Sequence, residues 1–175
     1  MPDEQIELMT YFGKYRGTVV QNVDPLQIGR IQVRVPDVSS LAPSPWAMPC
    51  LPVAGMQMGL YAVPLLGASV WVEYEQGDPD RPIWVGGFWE TVADVPALSH
   101  LTPPPVAAIT LQTPLQNALI ISDMPGPTGG ILLKSTSGAS IIVNDTGIYI
   151  QNGRGSTITM VGPTVDVNQG ALTVI

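Results

Sequence analysis

The stretch SIIVNDTGIYIQNGRGSTITMVGPTVDVNQGALTVI, residues Ser140–Ile175, repeats one short pattern. Each copy holds two apolar residues spaced two apart, and turn-forming residues such as Asn, Gly and Pro separate the copies. The pairs are Ile141/Val143, Ile148/Ile150, Ile158/Met160, Val165/Val167 and Leu172/Val174. Short strands therefore alternate with tight turns, and this regular alternation is typical of a repeat architecture.

One copy of this segment is too thin to bury its own apolar side chains. At about 25 cal/mol per Å², burying a pair of them per strand does not offset an ordering cost of about 1–2 kcal/mol per residue. Three chains that wind around a common axis solve this problem, because each strand then packs against its two equivalents and the sheet edges disappear. The alternative is a monomeric hairpin domain that packs on the rest of the chain.

The whole sequence favours strands over helices. Gly and Pro each supply 18 of the 175 residues, while 45% of the chain is hydrophobic and 12% is charged. Proline removes a backbone donor and clashes with the preceding helical turn, so long helices are disfavoured. The hydrophobic share is too high for a disordered chain. We therefore expect an all-β protein.

The same composition argues against several classes of function. A net charge of −7 repels phosphate backbones, which disfavours general nucleic-acid binding. The single histidine, His100, and the single cysteine, Cys50, do not supply a multi-histidine metal site, a zinc cluster or an internal disulfide. No apolar run reaches the roughly 18 residues of a membrane span. The N-terminus, MPDEQIE, lacks the basic and apolar regions of a secretory signal, so we expect folding in a cytoplasm.

The distribution of charge and tryptophan divides the chain into two units. All four tryptophans lie before residue 95, and the later charged residues are Asp123, Lys134, Asp145, Arg154 and Asp166. The stretch between the units ends in a triple proline, which favours an extended, semi-rigid spacer. The predicted boundaries are an N-terminal arm at 1–14, a barrel at 15–91, a proline-rich linker at 92–110 and a C-terminal needle at 111–175.

The first unit is predicted to contain five short strands. In the second of them Ile31, Val33 and Val35 alternate with polar residues, as in a half-buried antiparallel strand. The five segments are Tyr15–Gln21, Gly29–Asp37, Trp46–Leu51, Ala68–Glu75 and Arg81–Trp89. Five strands in about 75 residues fit a small barrel of the OB type.

An ordered set of motifs in residues 46–87 resembles a known family. The motifs are Trp46, Ala54-Gly55, Gly59, Pro64–Gly67, the strand Val70–Tyr74, Gly77–Pro82 and Gly86. This order is similar to the OB-fold region of the central spikes of contractile injection machines, the phage baseplate assembly protein V and VgrG-like group. Gly17–Pro36 resembles the family's first hairpin, and Ser137–Asn152 resembles the start of its intertwined triple-stranded β-helix.

The resemblance implies a homotrimeric spike and two partners. A baseplate hub protein is expected to dock on the collar of OB barrels as a separate chain. A PAAR-type tip protein is expected at the apolar C-terminal segment, which comprises Gly170, Ala171, Leu172, Thr173, Val174 and Ile175. The linker at 92–110 is too short for the lysozyme domain that some spikes carry, and no histidine follows His100 to form the iron-binding tip of others.

The motif GDPDRP is the most specific local pattern outside the repeat. It comprises Gly77, Asp78, Pro79, Asp80, Arg81 and Pro82. Its carboxylates are possible metal ligands, but the two prolines favour a rigid turn that closes the barrel, with Arg81 able to pair with a carboxylate.

Three further sets of residues have both a chemical and a structural interpretation. Glu73 and Glu75 share one face of a strand, as in a paired-carboxylate hydrolase, but a solvated or partner-facing strand fits them better. His100 lies in the linker, without the orienting groups of a catalytic triad. The tryptophans Trp71, Trp84 and Trp89 are a possible base-stacking platform, but packing or a subunit interface is favoured at this net charge.

The sequence thus predicts a structural spike that works mechanically, breaching a target envelope without turnover. We expect no catalytic residue, no cofactor, no metal and no nucleic-acid partner, and contact with a target membrane only during penetration. The expected location is a virion tail baseplate or an injection-system particle, assembled in a bacterial cytoplasm. An OB-fold nucleic-acid binder and an envelope-degrading enzyme are the alternatives.

Overall fold

A computed structural model describes residues 9–174, and it divides the chain into two compact units with the boundary between Glu90 and Thr91. Strands dominate both units, which confirms the all-β prediction. In the described residues the helical elements are one α-helix and four short 3-10 helices, at Pro36–Ser39, Glu75–Gly77, Val92–Asp94, Ala97–Leu101 and Gly126–Thr128. None of the helices in this part of the chain has both the length and the apolar character to cross a membrane.

The first unit is built on a five-stranded sheet, as predicted. Its strands are β1 (Tyr15–Gln21), β2 (Gln32–Arg34), β3 (Met48–Pro49), β6 (Ser69–Tyr74) and β7 (Pro82–Gly87). They lie in the order β2-β1-β6-β7-β3, in which only the β3–β7 pair is parallel within the described chain. A separate hairpin, β4 (Ala54–Gly55) with β5 (Met58–Gly59), was not predicted.

Backbone contacts close the sheet into a barrel. Ile31 and Ala47 exchange hydrogen bonds of 3.2 and 2.7 Å, and Arg34 forms a bridge with Pro43. These contacts join the approach to β2 with the segment before β3, which lie at opposite edges of the sheet order. Register shifts in the β1–β2 and β6–β7 pairs supply the local bending that a small closed barrel needs.

Alternation along the strands fills the barrel core. Ile31, Val33 and Val35 are fully buried, and so are Val70 and Val72, while the residues between them face outward. The remaining core side chains are Val19, Ala47, Tyr74 and Trp84. The indole N–H of Trp84 donates to the Gly29 carbonyl at 3.1 Å, so the polar atom of this buried ring is satisfied.

The second unit is an eight-stranded antiparallel meander in which every strand pairs with its neighbours in sequence. The strands are β8 (Ala108–Gln112), β9 (Ala118–Ser122), β10 (Gly130–Lys134), β11 (Ser140–Asn144), β12 (Gly147–Gln151), β13 (Thr157–Val161), β14 (Thr164–Val167) and β15 (Leu172–Val174). Their lengths match the predicted repeat of short strands and tight turns. The meander also includes β8 and β9, which precede the point where the repeat is recognisable in the sequence.

Side-chain amides and one glycine fix the turns of the meander. Asn144 Oδ1 accepts from the backbone N–H groups of Thr146 and Gly147, and Asn152 Oδ1 accepts from that of Arg154. Gly130 has φ +82°, and a Cβ there would lie 2.0 Å from the Val143 carbonyl oxygen. Only glycine fits this close approach between β10 and β11.

The proline-rich segment before the meander belongs to the second unit. It contains the 3-10 helices Val92–Asp94 and Ala97–Leu101, whereas the sequence predicts an extended linker at 92–110. The Leu98 N–H donates to Gln112 Oε1 at 2.9 Å, and the hydroxyls of Thr102 and Ser122 are 2.7 Å apart and buried. Since β8 begins at Ala108, the segment is held against the first two strands of the sheet.

Candidate assembly surface

Every strand of the meander places two apolar side chains on the same face of the sheet. The register aligns these side chains in two columns that run across all eight strands. One column is Leu111, Leu119, Leu133, Ile141, Ile150, Ile158, Val167 and Leu172. The other is Ile109, Ile121, Ile131, Val143, Ile148, Met160, Val165 and Val174. We call this surface the apolar face.

A single chain leaves the apolar face uncovered. None of its side chains is buried, and Ile109 and Leu111, at one end of it, are each 61% exposed. Soluble monomers seldom expose a continuous apolar patch of this kind, because covering it gains roughly 25 cal/mol per Å². The apolar face therefore has the character of an assembly surface.

The opposite face of the meander differs in composition. It carries polar residues such as Thr159 and Gln151, together with the buried Ile120, Ser122 and Ser140. The charged residues Lys134 and Asp166 alternate with members of the apolar face and so lie on this opposite side, while Asp145 and Arg154 lie in turns. Charge is thus kept off the apolar face, where threefold repetition would be costly.

The segment predicted to bind a tip protein lies at the edge of this sheet. Gly170 and Ala171 form the turn before β15, and the exposed Leu172 and Val174 extend the two columns to the last strand. Backbone atoms of Thr173 pair with Asp166, whereas Ile175 lies outside the described residues. The turn is held by the Gly170 N–H, which donates to Asp166 Oδ1 at 3.1 Å.

The GDPDRP motif forms the connection between β6 and β7. The Asp80 N–H donates to Asp78 Oδ1 at 2.9 Å, and the Arg81 guanidinium pairs with Glu75 at 2.8 Å. The Gly77 carbonyl accepts from the Tyr11 N–H at 2.8 Å, so this turn also holds the segment before β1. In the described chain, no three His, Cys, Asp or Glu residues cluster as a metal site.

A buried ion pair holds the loop between β1 and β2. Asp24, whose side chain is 2% exposed, accepts from Arg30 Nη2 at 2.7 Å and Nε at 3.1 Å. It also accepts backbone N–H bonds from Leu26, Ile28 and Arg30. The Arg30 guanidinium and these N–H donors hold the pKa of Asp24 far below its usual value. The residue was not singled out from the sequence, although Asp-Pro before a glycine is a turn signal.

The residues with alternative chemical interpretations are separated in the fold. Glu73 pairs with Lys14, and Glu75 pairs with Arg81. Trp84 is in the core, whereas Trp71 packs on Phe88 beneath the Arg16 guanidinium, and Trp89 is exposed. His100 lies in the 3-10 helix Ala97–Leu101 of the second unit. The three tryptophans thus do not form one stacking surface.

Comparison with known proteins identifies both units. A family model described as the type VI secretion system/phage-baseplate injector OB domain matches residues 15–89. A second, described as the phage baseplate V C-terminal trimerisation domain, matches residues 108–173. No curated protein matched the chain. The two matches together span most of the sequence, and the chain belongs to the phage baseplate V family.

This membership explains the apolar face. The trimerisation domain begins at the first residue of β8 and covers the meander almost to its end, so it supports a homotrimer. The family has a structural role in phage baseplates and injection systems, and the chain is accordingly a particle-associated protein. Both matched domains are structural, which points away from an enzyme.

Proposed function

We propose that this chain is the central spike of a contractile phage tail or related injection system, and that it pierces the target cell envelope. The observation that supports this most is the apolar face, which extends without interruption across eight strands. Three such faces packed around one axis would form a rod with a dry apolar interior. Strands held by backbone hydrogen bonds on both sides resist bending, which is the property that a penetrating needle needs.

Each unit has its own partner in this function. A baseplate hub docks on the OB unit and connects the trimer to the tail tube. A PAAR-type tip protein binds at residues 170–175, where an edge strand with exposed apolar side chains offers both backbone groups and apolar surface. The work is mechanical and involves no catalytic residue, no cofactor and no nucleic-acid ligand.

Complementation in a particle-producing strain tests the proposal. Deletion of the gene is expected to give particles that no longer breach target cells, and the wild-type chain is expected to restore penetration. Isolated trimers are also expected to lack activity on peptidoglycan in zymography. Particles that penetrate equally well without the chain would contradict the spike function, and a cleared zymogram would favour an envelope-degrading enzyme.

A further inference from the structure

A second uncovered apolar surface lies in the first unit, far from the apolar face in sequence. Residues 52–62 are all exposed, and we call them the arm. The arm is the β4–β5 hairpin with its flanks, and its exposed side chains include Val53, Met58 and Tyr61. No residue between 38 and 72 is charged. A lone two-stranded hairpin is marginally stable in water, so this arm needs a surface to pack on.

The tip of the arm makes almost no contact with its own chain. Met56 is 98% exposed, and it stands in the two-residue turn that connects Gly55 to Met58. Pairing of Ala54 with Gly59 keeps the hairpin extended and directs the tip away from the base of the arm. Methionine is flexible and polarizable, which suits it to insertion into an irregular apolar site.

An apolar groove of about 380 Å³ lies at the base of the arm. It is lined by Cys50, Leu51 and Leu60 on one side and by Trp84 and Val85 of β7 on the other. Met56 is not among the residues that line the groove, and at 98% exposure it does not fill the groove of its own chain. The groove of a single chain is therefore open to an apolar side chain from another molecule.

We propose that the arm of each chain enters the groove of the next copy in the trimer, with Met56 as the inserted side chain. This inference rests on the homotrimer that the trimerisation domain supports. Tethering by that domain raises the effective concentration of the neighbouring copy to about the millimolar range, so a contact with a dissociation constant below that range is formed. Only three residues separate β7, a wall of the groove, from the second unit in the sequence.

Head-to-tail exchange has a defined symmetry. Each copy gives one arm and receives one, and such a heterologous contact closes after three copies into a ring. Both surfaces are apolar and uncharged, so the contact loses no ion pairs and buries the tip that a single chain leaves open. The OB units are thereby locked to one another as well as held by the meander.

The single native cysteine gives a direct test, because Cys50 lines the groove and is exposed. In the full-length Met56→Cys variant, oxidation with diamide is expected to link the introduced thiol of one chain to Cys50 of the next. Denaturing, non-reducing gels should then show linked chains up to three times the 18.6 kDa mass. A disulfide needs Cα atoms within about 7 Å, so this bond reports contact rather than proximity. Met56 is too exposed for its replacement to disturb its own chain.

Two controls make the result specific. Leu41→Cys places a cysteine at another exposed position of the same unit, 79% exposed, and should give at least about tenfold less linked trimer despite the same tethering. Cys50→Ala combined with Met56→Cys should abolish the linked species. Linked species that persist in this double variant, or that are equally abundant with Leu41→Cys, would overturn the arm exchange.

Light scattering of the reduced Met56→Cys protein separates this inference from the proposed function. A trimer that fails to link on oxidation overturns the arm exchange and leaves the homotrimer intact. A monomer overturns the homotrimer itself, and the arm exchange with it.

Discussion

Ile158 on β13 lies directly opposite Ile150 on β12, and both side chains belong to the apolar face. The next strand continues the column, because Val167 pairs with Ile158 from the other side. Ile158 is only 37% exposed, so it is already partly covered within its own sheet. Ile158 has neighbours on both sides in the column, which makes it a sensitive probe of what covers the apolar face in the assembled protein.

Ile158→Asp is therefore expected to prevent trimer formation. One substitution places three unpaired carboxylates in the apolar interior, and each costs several kcal/mol. Ile148→Asp, in the other column, should act in the same way. Light scattering at micromolar concentration is the measurement.

Val161→Asp is the matched control. It is a similar apolar-to-aspartate substitution on the same strand, but on the opposite face, at a residue that is 46% exposed. Asp145→Ser should also be mild, although it removes a 3.0 Å bond from the Gly126 N–H. If Val161→Asp dissociated the trimer and Ile158→Asp did not, the apolar face would be the outer one.

Removing the second unit is expected to leave a folded but largely monomeric barrel. A chain that ends at Glu90 keeps the whole hydrophobic core, whose members lie between Val19 and Trp84. It loses the apolar face and the tether that holds the arms together, which is the main source of association. Circular dichroism with light scattering tests this. A truncated chain that trimerises as tightly as the full one would place the main interface in the OB unit.

The sequence predicted the strands well where alternation alone decides the fold. Ile31, Val33 and Val35 are buried as expected, because one face of their strand packs inward. The closure of the barrel through Ile31 and Ala47 was not predictable, since two isolated hydrogen bonds between distant segments have no local signal.

Two other features were missed for different physical reasons. The apolar pairs of β8 and β9 follow the same rule as the rest, but Pro114 and the longer gaps around these strands obscure their periodicity. The arm lacks alternation because none of its residues faces a core in its own chain. The arm therefore leaves no periodic trace in the sequence, whereas the apolar face does, because there one side of a regular strand is apolar and the other is polar.

Asp24→Asn is expected to lower the melting temperature near pH 7. The carboxylate accepts from both Arg30 and three backbone groups, and an amide would turn a donor toward some of them. Because folding lowers the pKa of Asp24, its contribution is fully present above the unfolded pKa of about 3.9 and is lost as the pH falls.

The difference in melting temperature between wild type and Asp24→Asn should accordingly narrow below about pH 4. Asp37→Asn, an exposed aspartate in the same unit, is the control and should change little. A difference that stays constant from pH 7 to pH 3 would show that the charge of Asp24 does not stabilise the loop.

Tyr74 is expected to limit stability at high pH. Burial beside Tyr15 and Tyr11 raises the pKa of Tyr74 to about 12, above its unfolded value of about 10. Between these values the unfolded chain releases a proton that the folded chain keeps, so stability falls as the pH rises. Tyr74→Phe should flatten this decline in urea unfolding, while Tyr61→Phe, at an exposed residue, should not. If the free energy of unfolding fell equally steeply with pH in wild type and in Tyr74→Phe, Tyr74 would not be the residue that limits stability at high pH.

Deletion of Ala171–Ile175 is expected to spare the trimer but abolish binding of a tip protein. The deletion removes β15, whose exposed Leu172 and Val174 end the two apolar columns, and leaves β14 as the new edge strand. The other seven strands of the meander keep their apolar side chains, so the trimer loses only a small part of its interface. A partner that binds both the backbone edge of β15 and its apolar side chains loses both sets of contacts in this variant. Co-purification of the tip protein from particles, with light scattering of the trimer, measures the two effects separately.

Leu172→Ser with Val174→Ser keeps the strand but removes the apolar ends, and it should weaken binding less than the deletion if backbone pairing contributes. A deletion variant that still retains the proposed tip protein would show that this protein binds elsewhere on the trimer.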